Sequence, residues 1–184
     1  MTRVQARRLR DGLTAEDRFA FSERITRHLL AWPVFCRARS VMAYVSIGSE
    51  VDTAKLLCEV LSAGKRLCLP RCVDHGEMEA VEVSDLSQLI PGRFLIPEPD
   101  VSFKAASKGD IDLILVPGLL FSASGARMGR GGGYYDRFLS DYDGMTCGLA
   151  FSIQIAKITP KIHDVNIKIL ATENGIISCG EDKE

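Results

Sequence analysis

The sequence predicts an α/β fold with a mostly parallel central sheet, and three observations carry this prediction. Segments whose apolar residues recur at helical spacing alternate with short β-rich runs along the chain. Residues 112–116 (DLILV) are apolar enough to be covered on both faces, as the inner strands of parallel sheets are. A glycine-rich stretch follows that run, at the carboxyl end of a strand, where open α/β sheets bind their ligands.

The first third of the chain is predicted to supply two helices and a strand. Thr14 is the expected cap of the first helix, in which apolar residues recur at helical spacing. Residues 40–46 (SVMAYVS) are β-rich and predict a short strand. Asp52 or Thr53 then caps a second helix, which we expect to stop at Gly64.

The rest of the chain is predicted to contribute strands separated by connectors and a further helix. Residues 66–69 and 78–83 predict two strands, and the Pro-rich stretch at 91–99 is expected to be a connector. Residues 112–116 are expected to be the central strand. The remaining candidate strands lie at 145–151, 167–171 and 175–179.

The composition is typical of one ordinary globular domain without a strong overall charge. The 184 residues, 46% of them hydrophobic, suit a single core, so residues 1–184 are predicted to be one domain. Lys and Arg together number 23 against 24 for Asp and Glu, so no whole-chain field attracts nucleic acid or an acidic membrane. No membrane span and no obligate protein partner are expected from the sequence.

The N-terminus and the cysteines suggest a compartment. The start is Arg-rich but lacks the apolar region of a secretory signal, and acids soon follow. The cytoplasm is therefore expected, with a transit peptide as the alternative, and we interpret the Arg-rich start as a solvated helix face. The six cysteines form no C-x-x-C pair, and those with apolar neighbours are predicted to be reduced core thiols; they are Cys36, Cys58, Cys68 and Cys147.

Residues 125–133 have the composition of a phosphate-binding loop. Five of the nine residues are glycine, and two of the other four are Arg127 and Arg130. Such a loop can turn several backbone N–H groups towards one anion, while two guanidinium groups neutralise its charge. Residues 134–139 predict the next helix, whose free N–H groups would add to the anion site. The alternative is a flexible surface loop, although such linkers favour Gly and Ser over paired Arg and Tyr.

This segment matches neither of the two familiar nucleotide-binding motifs. A Walker loop requires a Lys followed by Ser or Thr, whereas Arg130 stands five positions after Gly125. A dinucleotide loop requires a glycine where Tyr134 stands. A magnesium ion on bound phosphates would therefore depend on carboxylates, of which Asp136 is the nearest and Asp164 a second candidate. For Asp136 alone, the alternative is an acid that stabilises a helix N-terminus.

Two further sets of residues have open alternatives. Glu50 follows the first predicted strand, where open sheets place ligand contacts, but a solvated loop acid fits the sequence equally well. Tyr134 and Tyr135 follow the glycines directly and are also compatible with core packing.

These motifs occur together in one known family. Residues 116–139 read VPGLLFSASGARMGRGGGYYDRFL, a hydrophobic strand, Pro-Gly and Phe followed by G-x-R-hydrophobic-G-x-G-x-G-Y-Y-D-R. This pattern is similar to the signature of the 5-formyltetrahydrofolate cyclo-ligase (methenyltetrahydrofolate synthetase) family. Supporting matches in the family's order are YVSIGSEVDT at 44–53, GKRLCLP at 64–70, IPEP at 96–99, GLAFSIQ at 148–154 and HDVNIKILATENG at 163–175.

The resemblance implies a three-layer fold of the sugar-isomerase and CoA-transferase type. It also implies an ATP- and Mg²⁺-dependent cyclisation of 5-formyltetrahydrofolate to 5,10-methenyltetrahydrofolate, through a phosphorylated formyl group, with release of ADP and phosphate. By position, the implied ATP-binding residues are Arg3, Arg127, Met128, Gly129, Arg130, Gly131, Gly132, Gly133, Tyr134 and Tyr135. The implied folate-binding residues are Val45, Glu50 and Tyr134, the magnesium ligands are Asp136 and Asp164, and the catalytic candidates are Arg127, Arg130 and Asp136.

The chain departs from the family pattern in two places, and other functions stay open. Ser122 stands where the family often has Asp, so its hydroxyl would have to order the loop. The family's N-terminal Lys would precede Met1, which weakens the assignment of Arg3. The alternatives on the same fold are a non-catalytic sensor of sugar phosphates or CoA esters, and a small kinase with another substrate.

Overall fold

The computed structural model describes residues 1–73, 76–92, 95–159 and 164–180. Its α-helices are α1 (Arg3–Asp11), α2 (Ala15–Ala31), α3 (Pro33–Arg37), α4 (Ala54–Ser62) and α5 (Tyr134–Leu139). Its strands are β1 (Ser40–Met42), β2 (Arg66–Cys72), β3 (Met78–Val83), β4 (Leu89–Pro91), β5 (Pro97–Pro99), β6 (Leu113–Val116), β7 (Leu120–Phe121), β8 (Arg127–Met128), β9 (Met145–Leu149), β10 (Ile169–Thr172) and β11 (Gly175–Ser178).

The main sheet has seven strands in the order β11-β10-β9-β6-β1-β2-β3. The pairs β10–β9, β9–β6, β6–β1 and β1–β2 are parallel, and only the two edge strands β3 and β11 run antiparallel to their neighbours. The predicted central strand, β6, is the fourth of the seven. The expectation of a mostly parallel α/β sheet is therefore confirmed.

Apolar side chains of the inner strands alternate between two helical layers. On β6, Leu113 and Leu115 belong to the core that includes residues of α2, α3 and α4, whereas Ile114 and Val116 pack with α5 residues on the opposite face. All four side chains are fully buried. Each buried Leu or Ile stabilises the fold by about 1.5–3 kcal/mol. The sheet lies between helices on both faces, as the three-layer prediction required.

The helix caps show why these segments form helices. Thr14 precedes α2, and its hydroxyl oxygen accepts a hydrogen bond from the Asp17 N–H at 3.0 Å. At α4 the Asp52 carboxylate accepts the Ala54 N–H at 2.9 Å, while Thr53 occupies the N-cap position without a side-chain cap. The helix ends at Ser62, and Gly64 adopts a positive φ of 68° just beyond it. Both predicted helices are confirmed.

The Pro-rich connector expected at 91–99 is partly wrong. Strands β4 and β5 pair antiparallel, with Leu89 opposite Pro99 and Pro91 opposite Pro97. Proline is tolerated here because the hairpin forms a separate two-stranded sheet with free edges, where the missing N–H groups are not needed. The hairpin β7–β8 is a second element that the sequence did not predict.

The prediction of core thiols is correct for Cys68 and Cys147 and wrong for Cys36 and Cys58. Cys68 and Cys147 are fully buried, whereas the other two are exposed. Cys58 lies on α4 opposite the face whose residues are buried, so apolar neighbours in sequence do not share its environment. Among the described residues, which include all six cysteines, there is no disulfide. Within the described residues, none of the helices has the length and apolarity that crossing a membrane requires.

Candidate active site

The glycine-rich segment leaves the carboxyl end of the central strand through the β7–β8 hairpin. Ser122 closes the hairpin turn, because its hydroxyl oxygen accepts the Ala126 N–H at 2.9 Å and lies 2.8 Å from the Ser124 hydroxyl. The Ser122 backbone N–H also donates to the Ala126 carbonyl at 2.8 Å. Ser122 is buried, so this hydroxyl orders the turn at the position where the related family often has Asp.

Three glycines of the segment, Gly125, Gly131 and Gly133, have a positive φ that favours glycine. Gly125 has a φ of 89°, and a Cβ there would lie 2.2 Å from the carbonyl oxygen of Ile167. Gly133 is the N-cap of α5 in the left-handed conformation, with a φ of 69°. A side chain at Gly125 or Gly133 would strain the backbone, and at Gly125 it would also collide with the backbone of Ile167.

The segment lines a cavity of about 580 Å³, here called the glycine-loop cavity. Its walls contain every residue that was expected to bind ATP or magnesium: Arg3, Arg127, Met128, Gly129, Arg130, Gly131, Gly132, Gly133, Tyr134, Tyr135, Asp136 and Asp164. The fold therefore brings together residues from α1, from the loop and from the segment that starts at residue 164.

Arg127 and Asp136 form an ion pair in this cavity. The Arg127 Nη2 donates to the Asp136 Oδ1 at 2.7 Å, with the arginine side chain buried and the carboxylate one-quarter exposed. The Arg127 Nε is buried and has no acceptor within the described residues. A buried donor without a partner costs free energy, so this guanidinium has capacity for a further acceptor such as a phosphate oxygen.

The two carboxylates of this cavity suit a Mg²⁺ ion whose other ligands are phosphate oxygens and waters. Asp136 and Asp164 both line it. Among the described residues there is no group of three or more His, Cys, Asp or Glu side chains suited to a metal. Mg²⁺ in phosphate-binding sites typically uses one or two protein carboxylates, with phosphates and waters completing its shell. Two carboxylates beside a glycine loop match this donor set.

Arg3 lies at the mouth of the same cavity. Its Nε donates to the Gly129 carbonyl at 3.1 Å. Helix α1 is held at its start by a capping box between Thr2 and Gln5, which fixes the direction of this turn. The guanidinium of Arg3 is thus placed beside the loop, where the resemblance to the cyclo-ligases would put a nucleotide contact.

An ion pair with Arg130 connects Glu50 to the glycine-rich segment. Arg130 donates to the Glu50 Oε1 from Nη2 at 2.7 Å and from Nε at 3.2 Å. The other carboxylate oxygen accepts the Ile47 N–H at 3.0 Å. Glu50 is only 9% exposed, so the interpretation of a solvated loop acid is wrong.

Arg10 is a further partner of Glu50, and sequence reasoning missed it. It is 2% exposed, lies 3.9 Å from the Glu50 carboxylate, and donates to the Ser49 hydroxyl at 3.0 Å and the Gly118 carbonyl at 3.3 Å. Burial lowers the pKa of its guanidinium, and Glu50 partly opposes this effect. The Arg-rich start is therefore not a solvated face at Arg10. The sequence feature that could have indicated its burial is the four-residue spacing from Ala6, which puts both residues on the buried face of α1.

A second cavity of about 800 Å³ adjoins the first and is here called the Glu50 cavity. It contains the expected folate-binding residues Val45, Glu50 and Tyr134, and it shares Arg3, Arg130, Tyr134 and Tyr135 with the glycine-loop cavity. The Tyr135 hydroxyl is buried and lacks a partner within the described residues, and burial raises the pKa of this phenol. Tyr135 therefore carries a neutral hydroxyl between the two cavities.

The comparison with known protein families decides the classification. Residues 1–173 match the 5-formyltetrahydrofolate cyclo-ligase family. The chain belongs to this family. The match covers both cavities, since their lining residues all lie before residue 173.

Curated relatives and solved structures agree with this classification. The chain is 32% identical to the mitochondrial 5-formyltetrahydrofolate cyclo-ligase of Arabidopsis thaliana, over 95% of this chain and 75% of that protein. It is 32% identical to the Mus musculus cyclo-ligase, over 85% and 84% of the two chains. An Aquifex aeolicus 5,10-methenyltetrahydrofolate synthetase structure superposes with a TM-score of 0.87 and 33% identity, covering 99% of this chain and 92% of that one.

These findings confirm the expected family, the fold and the enzyme class, which is that of a ligase. The roles of the individual site residues stay predictions. What the structure adds is their arrangement, in two adjoining cavities with charged residues on the shared wall.

Proposed function

We propose that the protein catalyses the ATP- and Mg²⁺-dependent cyclisation of 5-formyltetrahydrofolate to 5,10-methenyltetrahydrofolate, with release of ADP and phosphate. The observation that carries this proposal is the shared wall: Arg130, Tyr134 and Tyr135 line both the glycine-loop cavity and the Glu50 cavity. A phosphoryl donor in one cavity would then face an acceptor in the other, which is the arrangement that phosphoryl transfer requires.

The glycine-loop cavity is proposed to bind the nucleotide. Backbone N–H groups of residues 129–133 would bind the phosphates, and Arg127 and Arg130 would neutralise their charge. Arg127 suits this role because its side chain is held by Asp136 while its Nε has no acceptor within the described part of the chain. Arg3, which contacts Gly129, would close the same cavity from α1.

Asp136 and Asp164 are the residues proposed to hold magnesium. When bound, the ion would neutralise charge on the phosphates during transfer. The Arg127–Asp136 ion pair would hold the Asp136 carboxylate in place at the cavity wall.

The Glu50 cavity is proposed to bind the reduced folate. Its volume of about 800 Å³ lies within the usual range for small-molecule sites. Glu50 is a buried acceptor fixed by Arg10, Arg130 and the Ile47 N–H, so it would orient the N–H groups of the pteridine without moving. Val45, beside it, would contact the apolar faces of the ring.

The proposed chemistry needs no catalytic base for its first step. The formyl oxygen carries no proton, so it can attack the γ-phosphorus directly while ADP leaves. The neighbouring secondary amine of the same folate then attacks the activated formyl carbon. The C–O bond breaks, phosphate departs with the former formyl oxygen, and the amine proton is lost to solvent. Because this ring closure is intramolecular, positioning alone gives effective molarities of about 10⁵–10⁸ M.

A direct assay tests this proposal. The protein is mixed with ATP, magnesium and 5-formyltetrahydrofolate, and the ultraviolet absorbance of methenyltetrahydrofolate is followed together with ADP release. We expect both products to appear in equal amounts and only when all three components are present. Folded protein that releases no folate-dependent ADP would contradict the proposal, and phosphate binding without turnover would favour the sensor.

The cytoplasmic location stays a prediction, and one relative is named as mitochondrial.

A further inference from the structure

Glu98 is a buried carboxylate in the wall of the Glu50 cavity to which the proposed reaction gives no role. It lies in the middle of β5, opposite Ile90 of β4, within the IPEP motif. Its side chain is among those that line the cavity, although the residue is only 6% exposed. An acid that is almost fully buried and still borders a ligand-sized cavity is unusual, because charged groups are rarely buried without a partner.

The surroundings hold Glu98 in one place. Its Oε2 accepts the Cys72 N–H from the end of β2 at 3.1 Å. Its stem packs on Gly92, where a Cβ would lie 2.5 Å from the carboxyl carbon. The residue at 92 must therefore lack a side chain if Glu98 is to occupy this position. The Glu98 carboxylate is thus positioned by β2 and by the close approach of Gly92.

The electrostatic environment of Glu98 is nevertheless incomplete. Within the described residues, no Lys or Arg nitrogen lies within 4.0 Å of it, and the Cys72 N–H is its one hydrogen-bond donor. A carboxylate has about four acceptor positions. By contrast, Glu50 in the same cavity has donors from Arg130 and Ile47 and a second arginine nearby. Glu98 thus has free acceptor capacity on the cavity side.

We infer that Glu98 is a second folate-binding acid, which accepts hydrogen bonds from N–H groups of the pteridine that Glu50 does not reach. This inference rests on the proposed function. A reduced pteridine carries its donors, the 2-amino group, N3–H and N8–H, around the ring, so one carboxylate does not satisfy all of them. Two fixed acids in one cavity would recognise the ring as a hydrogen-bond donor along two edges and would fix its rotation in the plane.

Replacement of Glu98 by Gln tests the inference. The amide oxygen can still accept the Cys72 N–H, so a purely structural role is preserved while the charge and one acceptor are lost. We expect the Kd for 5-formyltetrahydrofolate, measured by titration calorimetry, to rise about 10- to 100-fold, the usual effect of losing a hydrogen bond to a charged group. The Kd for a non-hydrolysable ATP analogue with magnesium should change less than twofold. The control is Glu82→Gln on β3, an exposed acid paired with Arg66, which should alter neither value.

A second variant covers the case in which Glu98→Gln folds poorly. Glu98→Asp keeps the charge and withdraws the carboxylate by one methylene, so it should also weaken folate binding and spare the nucleotide. Folate analogues that lack the 2-amino group or N8–H identify the contact. The analogue that lacks the contacted donor should bind wild type more weakly than the natural folate does, but bind Glu98→Gln equally.

The outcomes separate this inference from the proposed function. If the wild-type protein binds neither folate nor nucleotide, the proposed function fails. If wild type converts folate and folded Glu98→Gln or Glu98→Asp binds it as tightly, the inference is wrong and Glu98 serves only the Cys72 N–H. An equal loss of folate and nucleotide affinity would also overturn it, because that result indicates general damage to the site.

Discussion

The two cavities hold their charged residues in different ways. In the glycine-loop cavity, Arg127 pairs with Asp136, nine residues further along the chain, and the carboxylate is one-quarter exposed. In the Glu50 cavity, the acid is buried and its partner Arg130 comes from 80 residues away, with Arg10 added from α1. One ion pair is built from a continuous stretch of sequence, and the other from segments that meet only in the folded protein.

The two pairs also differ in which partner a ligand can reach. In the first pair the Arg127 side chain is 4% exposed and the Asp136 carboxylate 25%, so the acid is the partner that a cation can reach. In the second pair the Arg130 side chain is 46% exposed and that of Glu50 only 7%, so loss of Arg130 would leave a buried carboxylate with fewer donors. The glycine-loop cavity is therefore suited to a cation at Asp136, and the Glu50 cavity to a ligand that a buried acid holds in one orientation.

The largest effect is expected at the Arg127–Asp136 pair of the glycine-loop cavity. Asp136→Asn removes the charge that would bind magnesium, so turnover should fall about 100- to 1,000-fold, the range for loss of an electrostatic group at a transition state. The magnesium concentration for half-maximal rate should rise, while circular dichroism stays unchanged. Asp141→Asn is the matched control, because Asp141 is exposed and pairs with Lys108 away from the cavity. Unchanged magnesium dependence in Asp136→Asn would remove this acid from the metal site.

The continuous stretch should also be sensitive to backbone geometry. Gly125→Ala combines a positive φ with a Cβ 2.2 Å from the Ile167 carbonyl, so we expect the free energy of unfolding to fall by about 3 kcal/mol. Gly48→Ala is the control, since Gly48 has a φ of 62° but open space around it. It should cost about 1 kcal/mol. Chemical denaturation of both proteins measures the difference, and equal costs would show that the turn tolerates a side chain.

Substitution of Arg130, which lines both cavities, tests which ligand this residue binds. Arg130→Ala should raise the KM for ATP about 10- to 100-fold and the KM for folate less, because phosphate neutralisation is its proposed main role. Arg130→Lys keeps the charge but cannot form both hydrogen bonds to Glu50. It should therefore bring the KM for ATP part of the way back to the wild-type value and leave the KM for folate as in Arg130→Ala. A larger rise in the KM for folate in Arg130→Ala would assign this residue to the Glu50 cavity instead.

A smaller effect is expected at the buried arginine of α1. Arg10→Met removes the donors to Ser49 and Gly118 and leaves Glu50 with Arg130 and the Ile47 N–H. The KM for folate should rise about five- to tenfold and the free energy of unfolding should fall by about 1–2 kcal/mol, with the KM for ATP unchanged. Arg8→Met, on the exposed face of the same helix, is the control. If both variants behave like wild type, Arg10 does not position Glu50.

The same difference explains which parts of the molecule the sequence could predict. Strand β6, helix α2 and the glycine loop were predicted because each carries a local pattern of apolar spacing, capping or glycine. Arg10 and Glu98 were missed because their roles depend on partners such as Ser49 and Cys72, which only the fold brings near. The ion pair of Glu50 with Arg130 likewise leaves no trace in local sequence.

The most direct test of this account is a crystal structure of the protein with a non-hydrolysable ATP analogue and magnesium. We expect the terminal phosphates within about 3 Å of the backbone nitrogens of residues 129–133 and of the Arg127 guanidinium. The cation should be bound by Asp136 and Asp164. A triphosphate bound outside the glycine-loop cavity, or a cation that neither aspartate reaches, would contradict the account.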